Sequence, residues 1–161
     1  MMASMVPVIS EFANSHIRRS SMSRVIAIDF GLKRTGLAVT DPARIIASAL
    51  ETVETKQLVS WLKIYLSREK VEGFVVGLPV NLNGSDTDAT PHVRGFITEL
   101  KQRFPAQWVE TTDERLTSRM AQQTLLASGV GRGARKEKGA LDRISATILL
   151  QGWLEQRSRR G

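Results

Sequence analysis

The run at 73–78 (GFVVGL) places the tightest constraint on the fold of this chain. It is continuously apolar and stops at Pro79, whereas a strand with one solvent-facing side alternates between apolar and polar residues. Such a run is typical of a central strand that is buried on both faces. It therefore predicts a sheet that is covered by helices on two sides.

Strand and helix patterns on either side of this run complete the architecture. Strand-like segments occur at 24–30, 36–40, 44–50 and 108–112, and Gly31 and Gly36 bracket a tight connection between the first two. Helical spacing of apolar residues appears at 55–68, 90–104, 118–127 and 142–156, with Thr90 as an N-cap and Pro91 at the first helical position of the second helix. We predict an α/β fold with a mixed five-stranded sheet, antiparallel at its start and parallel in its second half.

Length and composition favour one domain in a reducing compartment. A chain of 161 residues can bury one hydrophobic core. We expect a flexible extension at 1–22, the folded domain at 23–157 and a basic tail at 158–161. The absence of cysteine excludes disulfides and thiolate metal sites, and no apolar run approaches the roughly 20 residues of a membrane-spanning helix. The expected location is cytoplasmic, with no membrane partner.

Positive charge is concentrated near the end of the sequence. The net charge is +7, and residues 129–161 contain eight basic and three acidic side chains. Lys and Arg that neutralise phosphates release condensed counterions, so such a region favours a polyanionic partner. A solvated helix face followed by a basic tail would explain the same charges.

An aspartate ends the first predicted strand. Asp29 stands in an otherwise apolar run, immediately before a glycine turn, in the sequence DFGLKRTG. A carboxylate in such a strand is costly unless it is paired, hydrogen-bonded or bound to a cation. Asp29 is therefore a candidate for binding metal or substrate, and capping of the turn through backbone N–H groups is the alternative.

Two further acidic residues follow the last predicted strand. Asp113 and Glu114 come directly after WVETT, and sites in open α/β sheets form outside the carboxyl ends of strands. Glu114 could meet Asp29 there if their strands are neighbours. Asp113 is the weaker candidate, because aspartate is a common N-cap residue.

Asp142 precedes the apolar face of the last predicted helix. Ala146, Leu149 and Trp153 follow it at one, two and three turns, so its side chain starts from the buried stripe. Helix capping and a role in the site explain it equally well from this pattern. Three carboxylates without His or Cys would suit Mg²⁺ or Mn²⁺, and two such ions about 4 Å apart can support phosphodiester hydrolysis.

Four sequence blocks together resemble one known family. The blocks DFGLKRTGLAVTD, GLPVNLNG, TDERLTS and KGALDRISATILLQ are similar, in order, to those of the bacterial YqgF/RuvX family of Holliday junction resolvases and pre-16S rRNA nucleases. The resemblance extends from Ser23 to Gln156. The resemblance implies a ribonuclease H-like fold and phosphodiester cleavage with a divalent metal. It also implies that the catalytic, metal-binding triad is Asp29, Glu114 and Asp142.

The function that follows is a nuclease, a hydrolase acting on ester bonds. We expect it to mature the 5′ end of precursor 16S rRNA, with resolution of Holliday junctions as an alternative. Its expected partners are structured RNA, branched DNA and the ribosome precursor, and it could act as a monomer or a homodimer.

Several residues are candidates for contact with nucleic acid. Gly129, Gly131 and Ala134 formally match a loose dinucleotide fingerprint, but they follow a predicted helix rather than a strand. The loop that carries them is better explained as one that grips phosphates, and a disordered, solvated loop is the alternative. Asn81 and Gly84 are further candidates for approaching substrate, although a plain turn explains them more simply. The basic candidates are Arg34, Arg115, Arg132, Arg135, Lys136 and Lys138.

Two other classes of function compete with a nuclease. An actin-like phosphotransferase also uses an Asp-x-Gly turn after its first strand, but that fold normally needs two such domains. A nucleic-acid-binding factor for ribosome assembly or transcription, without catalysis, would explain the basic region. Three carboxylates near phosphates would weaken such a binder unless metal screened them.

Overall fold

The computed structural model describes residues 22–79, 81, 83–113 and 138–160. The helix expected at 118–127 lies outside this range. Its elements, in chain order, are β1 (Arg24–Asp29), β2 (Arg34–Thr40), β3 (Ala47–Glu54), a 3₁₀ turn (Thr55–Gln57), α1 (Leu58–Arg68), β4 (Val71–Leu78), α2 (Thr90–Arg103), β5 (Trp108–Asp113) and α3 (Lys138–Arg160).

The strands form one mixed five-stranded sheet, as predicted. Their spatial order is β3-β2-β1-β4-β5. β2 pairs antiparallel with both β1 and β3, whereas β1 with β4 and β4 with β5 are parallel. β1, β4 and β5 therefore end along the same side of the sheet, which we call the carboxyl edge.

Helices cover both faces of the sheet. Ile28, Phe74 and Val76 lie in the core beneath α1 and α2, while Ala27 and Val75 belong to a second core with α3. Alternate residues of β4 thus point into different cores, and all of these side chains are fully buried. This arrangement explains the continuous apolar run that predicts a doubly covered strand.

The third strand begins later than predicted and extends further. It was expected at 44–50 and is observed at Ala47–Glu54. The carboxylate of Asp41 accepts hydrogen bonds from the backbone N–H groups of Ile45 and Ile46, at 2.7 and 2.8 Å, and Arg44 has a φ of 58°. These contacts build a turn from residues that β propensity alone assigns to the strand.

The starts of α2 and α3 also differ from expectation. Ala89, and not Thr90, is the N-cap of α2, because the Thr90 hydroxyl accepts the backbone N–H of Thr87 at 2.8 Å. α3 begins at Lys138 and continues to Arg160, so it includes most of the expected basic tail. Asp142 therefore lies inside the helix and does not cap its start. No helix in the described ranges is both long and apolar enough to cross a membrane.

Candidate active site

Asp29 lies at the carboxyl edge, as the last residue of β1. Strand alternation puts it on the same face as Val25 and Ala27, which belong to the core under α3. The residue is half-buried. Its carboxylate therefore faces the layer that is formed by α3.

Gly36 brings Asp29 and Asp142 to the same place. It is the antiparallel partner of Asp29 in the β1–β2 ladder. A Cβ atom on Gly36 would lie 2.0 Å from the backbone oxygen of Asp142 and 2.9 Å from its Cα atom, so only glycine permits this approach of α3. The backbone of Asp142 thus rests on the residue that pairs with Asp29.

Arg34 binds the side chain of Asp142. Its Nε donates to Oδ2 of Asp142 at 3.1 Å, and the two side chains are 41% and 26% exposed. Arg34 precedes Gly36 by two residues on β2, so both point toward the same face of the sheet. The ion pair fixes the direction of the Asp142 carboxylate and adds a permanent positive charge beside it.

Thr52 anchors the first turn of α3 to β3. Its hydroxyl donates to the backbone oxygen of Gly139 at 2.6 Å and accepts from Nη1 of Arg143 at 3.4 Å. Gly139 leaves room for this contact, since a Cβ there would approach the Thr52 side chain to 3.0 Å. Thr52 is not predictable from the sequence, because no local pattern connects it to a helix residue 87 positions away.

A chain of hydroxyl groups holds the turn that follows Asp29. The Thr55 hydroxyl donates to the backbone oxygen of Gly31 at 2.6 Å, and its oxygen lies 2.9 Å from that of Thr35. Because the single proton of Thr55 is used on Gly31, the fully buried Thr35 is the donor of the second bond. These contacts tie β1, β2 and the end of β3 together behind the site.

Asn81 and Gly84 belong to a closed turn after β4. The backbone N–H of Gly84 donates to the oxygen of Asn81 at 2.8 Å, and the Asn81 amide donates to Ser85 and to the backbone of Asp86. Gly84 has a φ of 87°, which favours glycine. This geometry accounts for both residues as turn formers.

The remaining predicted residues are only partly described. Asp113 ends β5, where it pairs with Leu78 of β4. Lys138 is the first residue of α3, but its side chain lies outside the described parts, as do Glu114, Arg115, Arg132, Arg135 and Lys136.

The donor chemistry of the site suits a hard divalent cation. Asp29 and Asp142 supply carboxylate oxygens, which Mg²⁺ and Mn²⁺ prefer as ligands. Within the described ranges, no three His, Cys, Asp or Glu side chains form a group that could hold a metal ion. The third predicted ligand, Glu114, lies beyond these ranges.

Comparison with protein families and curated sequences gives a consistent result. A family model described as "RuvX: Holliday junction resolvase" matches residues 23–156. A protein of Porphyromonas gingivalis named "Putative pre-16S rRNA nuclease" is 47% identical over 138 residues, which cover 86% of this chain and 100% of that protein. A Flavobacterium johnsoniae protein of the same name is 46% identical over 136 residues, or 84% and 99% of the two chains.

Solved structures support the predicted fold class. Thermus thermophilus RuvC in complex with a Holliday junction substrate superposes with a TM-score of 0.53 at 16% identity, over 84% of this chain and 96% of that one. A second Thermus thermophilus RuvC structure gives 0.51 at 12% identity over the same shares. At such identities the similarity concerns the fold alone, and it confirms a ribonuclease H-like sheet.

Proposed function

This chain belongs to the RuvX family, and from that membership we propose that it is a metal-dependent endonuclease acting in maturation of the 5′ end of precursor 16S rRNA. The aligned region covers at least 99% of two relatives that are named as pre-16S rRNA nucleases. The proposed reaction is hydrolysis of a phosphodiester bond. The enzyme is accordingly a hydrolase acting on ester bonds.

The observation that carries this proposal is the meeting of two aspartates at Gly36. Asp29 pairs with Gly36 across the ladder, and the backbone of Asp142 rests on it. The Arg34 guanidinium balances part of the negative charge of Asp142, and a metal cation bound by both carboxylates would let the site accept a phosphate without repulsion. The arrangement therefore fits a site that binds a phosphodiester through a metal ion.

Asp29, Asp142 and Glu114 are the proposed ligands for Mg²⁺ or Mn²⁺. Once bound, the metal would supply charge neutralisation at the scissile phosphate and activation of water. The protein itself orients the carboxylates through Gly36, Thr52 and Arg34. Arg34 also presents a guanidinium that stays charged at all physiological pH values and can bind a phosphate oxygen.

Alternation along β5 favours Glu114 over Asp113 as the third ligand. Trp108 contacts the core under α3, whereas Val109 contacts the opposite core. Because the alternation continues along the strand, Asp113 shares the face of Val109 and is directed away from Asp29. Only β4 lies between β1 and β5, so these two strands are about 10 Å apart, or two strand spacings. Glu114 is the next residue in the chain after the end of β5.

The basic residues that precede α3 in the sequence, and Lys138 at its start, would bind the substrate backbone. We propose that Arg115, Arg132, Arg135, Lys136 and Lys138 contact phosphates, together with Arg34. Such contacts give affinity without sequence selection. Asn81 and Gly84 are not included in the proposed site, because the hydrogen bonds of their turn and the positive φ of Gly84 account for both residues.

The test is cleavage of precursor 16S rRNA with Mg²⁺, with Mn²⁺ or with chelator. Asp29→Asn, Asp142→Asn and Glu114→Gln should each lower the cleavage rate by more than about 100-fold, since loss of even an outer partner of a metal ligand costs 10–100-fold. Asp113→Asn tests the weaker candidate on β5, and exposed Asp88→Asn is the matched control. Both should retain activity. Cleavage that persists in chelator, or equally in all variants, would refute the assignment.

Resolution of Holliday junctions is the second candidate function. The family description names this activity, and the carboxylate chemistry works on DNA as well as on RNA. A labelled four-way DNA junction, incubated under the same conditions, distinguishes the two because the preferred substrate is cut faster. A junction resolvase is expected to act as a two-fold dimer, whereas an RNA-trimming enzyme can act as a monomer.

The proposed setting is the cytoplasm, with the ribosome precursor as the larger partner. The absence of cysteine fits a reducing compartment. Sedimentation of the protein with precursor particles in lysate gradients would test this association.

A further inference from the structure

A groove lies on the side of the sheet opposite α3. It runs between α1 and α2, has a volume of about 470 Å³ and is lined by Lys56, Lys63, His92 and Arg103, among others. Phe30 and Phe96 contribute to its floor, with their rings stacked at 4.7 Å. We call it the α1–α2 groove.

The groove begins next to the candidate active site. Phe30 follows Asp29 directly, and alternation sends the two side chains to opposite faces of the sheet. Leu32, which also lines the groove, belongs to the turn after β1 and is 65% exposed. That turn is therefore a ridge, with the carboxylates on one side and the groove on the other.

Four residues of α2 line the groove along the length of that helix. His92, Phe96, Glu99 and Arg103 form one face of α2, and the span from His92 to Arg103 is about 16 Å at 1.5 Å per residue. Measured along the axis of a duplex, at 3.4 Å per nucleotide of one strand, this length corresponds to about five nucleotides. The groove can thus follow a short stretch of phosphate backbone.

The two acidic residues that pair with basic residues of the groove are weak competitors for a phosphate, and only Glu99 is itself part of the described lining. Glu99 lies 3.5 Å from Arg103, and Glu54 lies 3.5 Å from Lys56. The four side chains are 46–80% exposed, and exposed ion pairs contribute only about 0–1 kcal/mol. A phosphate can therefore replace either carboxylate at little cost.

A second cleft beside α1 has the opposite charge. It is lined by Glu51 and Glu54, and its described lining includes no Lys or Arg. A polyanion is repelled from that side of α1 and attracted to the other. This difference in charge between the two clefts favours the α1–α2 groove as the path of a negatively charged chain.

We propose that the α1–α2 groove binds the strand of a nucleic-acid duplex that is not cut. One strand would lie at Asp29 and Asp142, and its complement would cross the turn after β1 into the groove. The inference rests on the proposed nuclease function and extends it, because it identifies the substrate as double-stranded near the cleavage point. Lys56 and Lys63 are the proposed phosphate contacts.

The test compares two double variants with equal loss of charge. Lys56→Gln with Lys63→Gln removes the groove lysines, and Lys70→Gln with Lys101→Gln removes two exposed lysines elsewhere. Fluorescence anisotropy in chelator measures binding of a short labelled RNA duplex and of the same labelled strand alone. Melting temperatures of all three proteins confirm that each is folded.

The groove variant should lose duplex affinity, while single-strand affinity and the control variant stay close to wild type. Its salt slope, d log K/d log [salt], should become shallower by about 1.8, at 0.9 per lost phosphate contact. Equal duplex binding by both variants would overturn the proposal. So would tighter, lysine-dependent binding of polyglutamate than of duplex, because that result would indicate an acidic protein partner.

Binding in chelator separates this proposal from the nuclease assignment. If the protein binds duplex through Lys56 and Lys63 but cuts no substrate, the nuclease assignment is wrong and the proposal for the α1–α2 groove stands. If the protein cuts precursor rRNA but binds duplex independently of these lysines, the proposal for the groove is wrong and the nuclease assignment stands.

Discussion

The backbone of Asp142 lies so close to Gly36 that no other residue fits at that position of β2. Gly36→Ala should destabilise the fold by about 1–3 kcal/mol, as overpacking against rigid backbone does. It should also lower the cleavage rate by displacing Asp142 from Asp29. Chemical denaturation and the rRNA assay measure the two effects.

Gly95→Ala is the matched control for that change. Gly95 lies in the exposed interior of α2, and an added Cβ would meet nothing within 4 Å. Alanine there should raise the free energy of unfolding by about 0.5–1 kcal/mol, because glycine loses more backbone entropy in a helix. An equal loss of stability in both variants would contradict the close contact at Gly36.

Arg34→Gln should impair catalysis much more than stability. The Arg34–Asp142 pair is partly exposed, so its loss should change the free energy of unfolding by less than about 1 kcal/mol. Cleavage should fall because the Asp142 carboxylate loses its orienting partner. Arg94→Gln breaks a comparable exposed pair with Asp86 and should leave the rate unchanged.

Trp153 connects α3 to β5 through a hydrogen bond. Its Nε1 donates to Oε2 of Glu110 at 2.6 Å, and its ring stacks on Trp108 with centroids 5.6 Å apart. Trp153→Phe keeps an aromatic ring but removes the donor, which should cost about 1.5–3 kcal/mol for a bond to a charged group. Glu110→Gln retains an acceptor and should cost less in the same denaturation experiment.

Asp41 should make part of the stability dependent on acid pH. The backbone N–H of Ile46, foremost among several such donors, lowers the pKa of Asp41 below its usual 3.8. A carboxyl group with a lowered folded-state pKa stabilises the fold above its unfolded pKa, and the contribution is lost as the pH falls through the folded value. Asp41→Ala should therefore show a smaller loss of stability below pH 4 than wild type. An identical acid profile would contradict this role.

The sequence predicted the sheet well but could not reveal how the site is held together. The apolar run of β4 and the helical spacing of α1 and α2 are local signals, and all three elements are found within three residues of their predicted bounds. The Arg34–Asp142 pair joins residues 108 positions apart, and no periodicity records such a contact. The turn at Asp41 also depends on side-chain bonds that override the β propensity of Ile45 and Ile46.

The packing of α3 on Gly36 makes the order of synthesis relevant to activity. All five strands, including Asp29, precede α3 in the chain, so a ribosome completes the sheet before it produces Asp142. Until α3 emerges and docks, the nascent protein has one of its aspartates without the other. If these two aspartates hold the catalytic metal, as proposed, a nuclease synthesised among ribosomal RNA stays inactive until its own folding is complete.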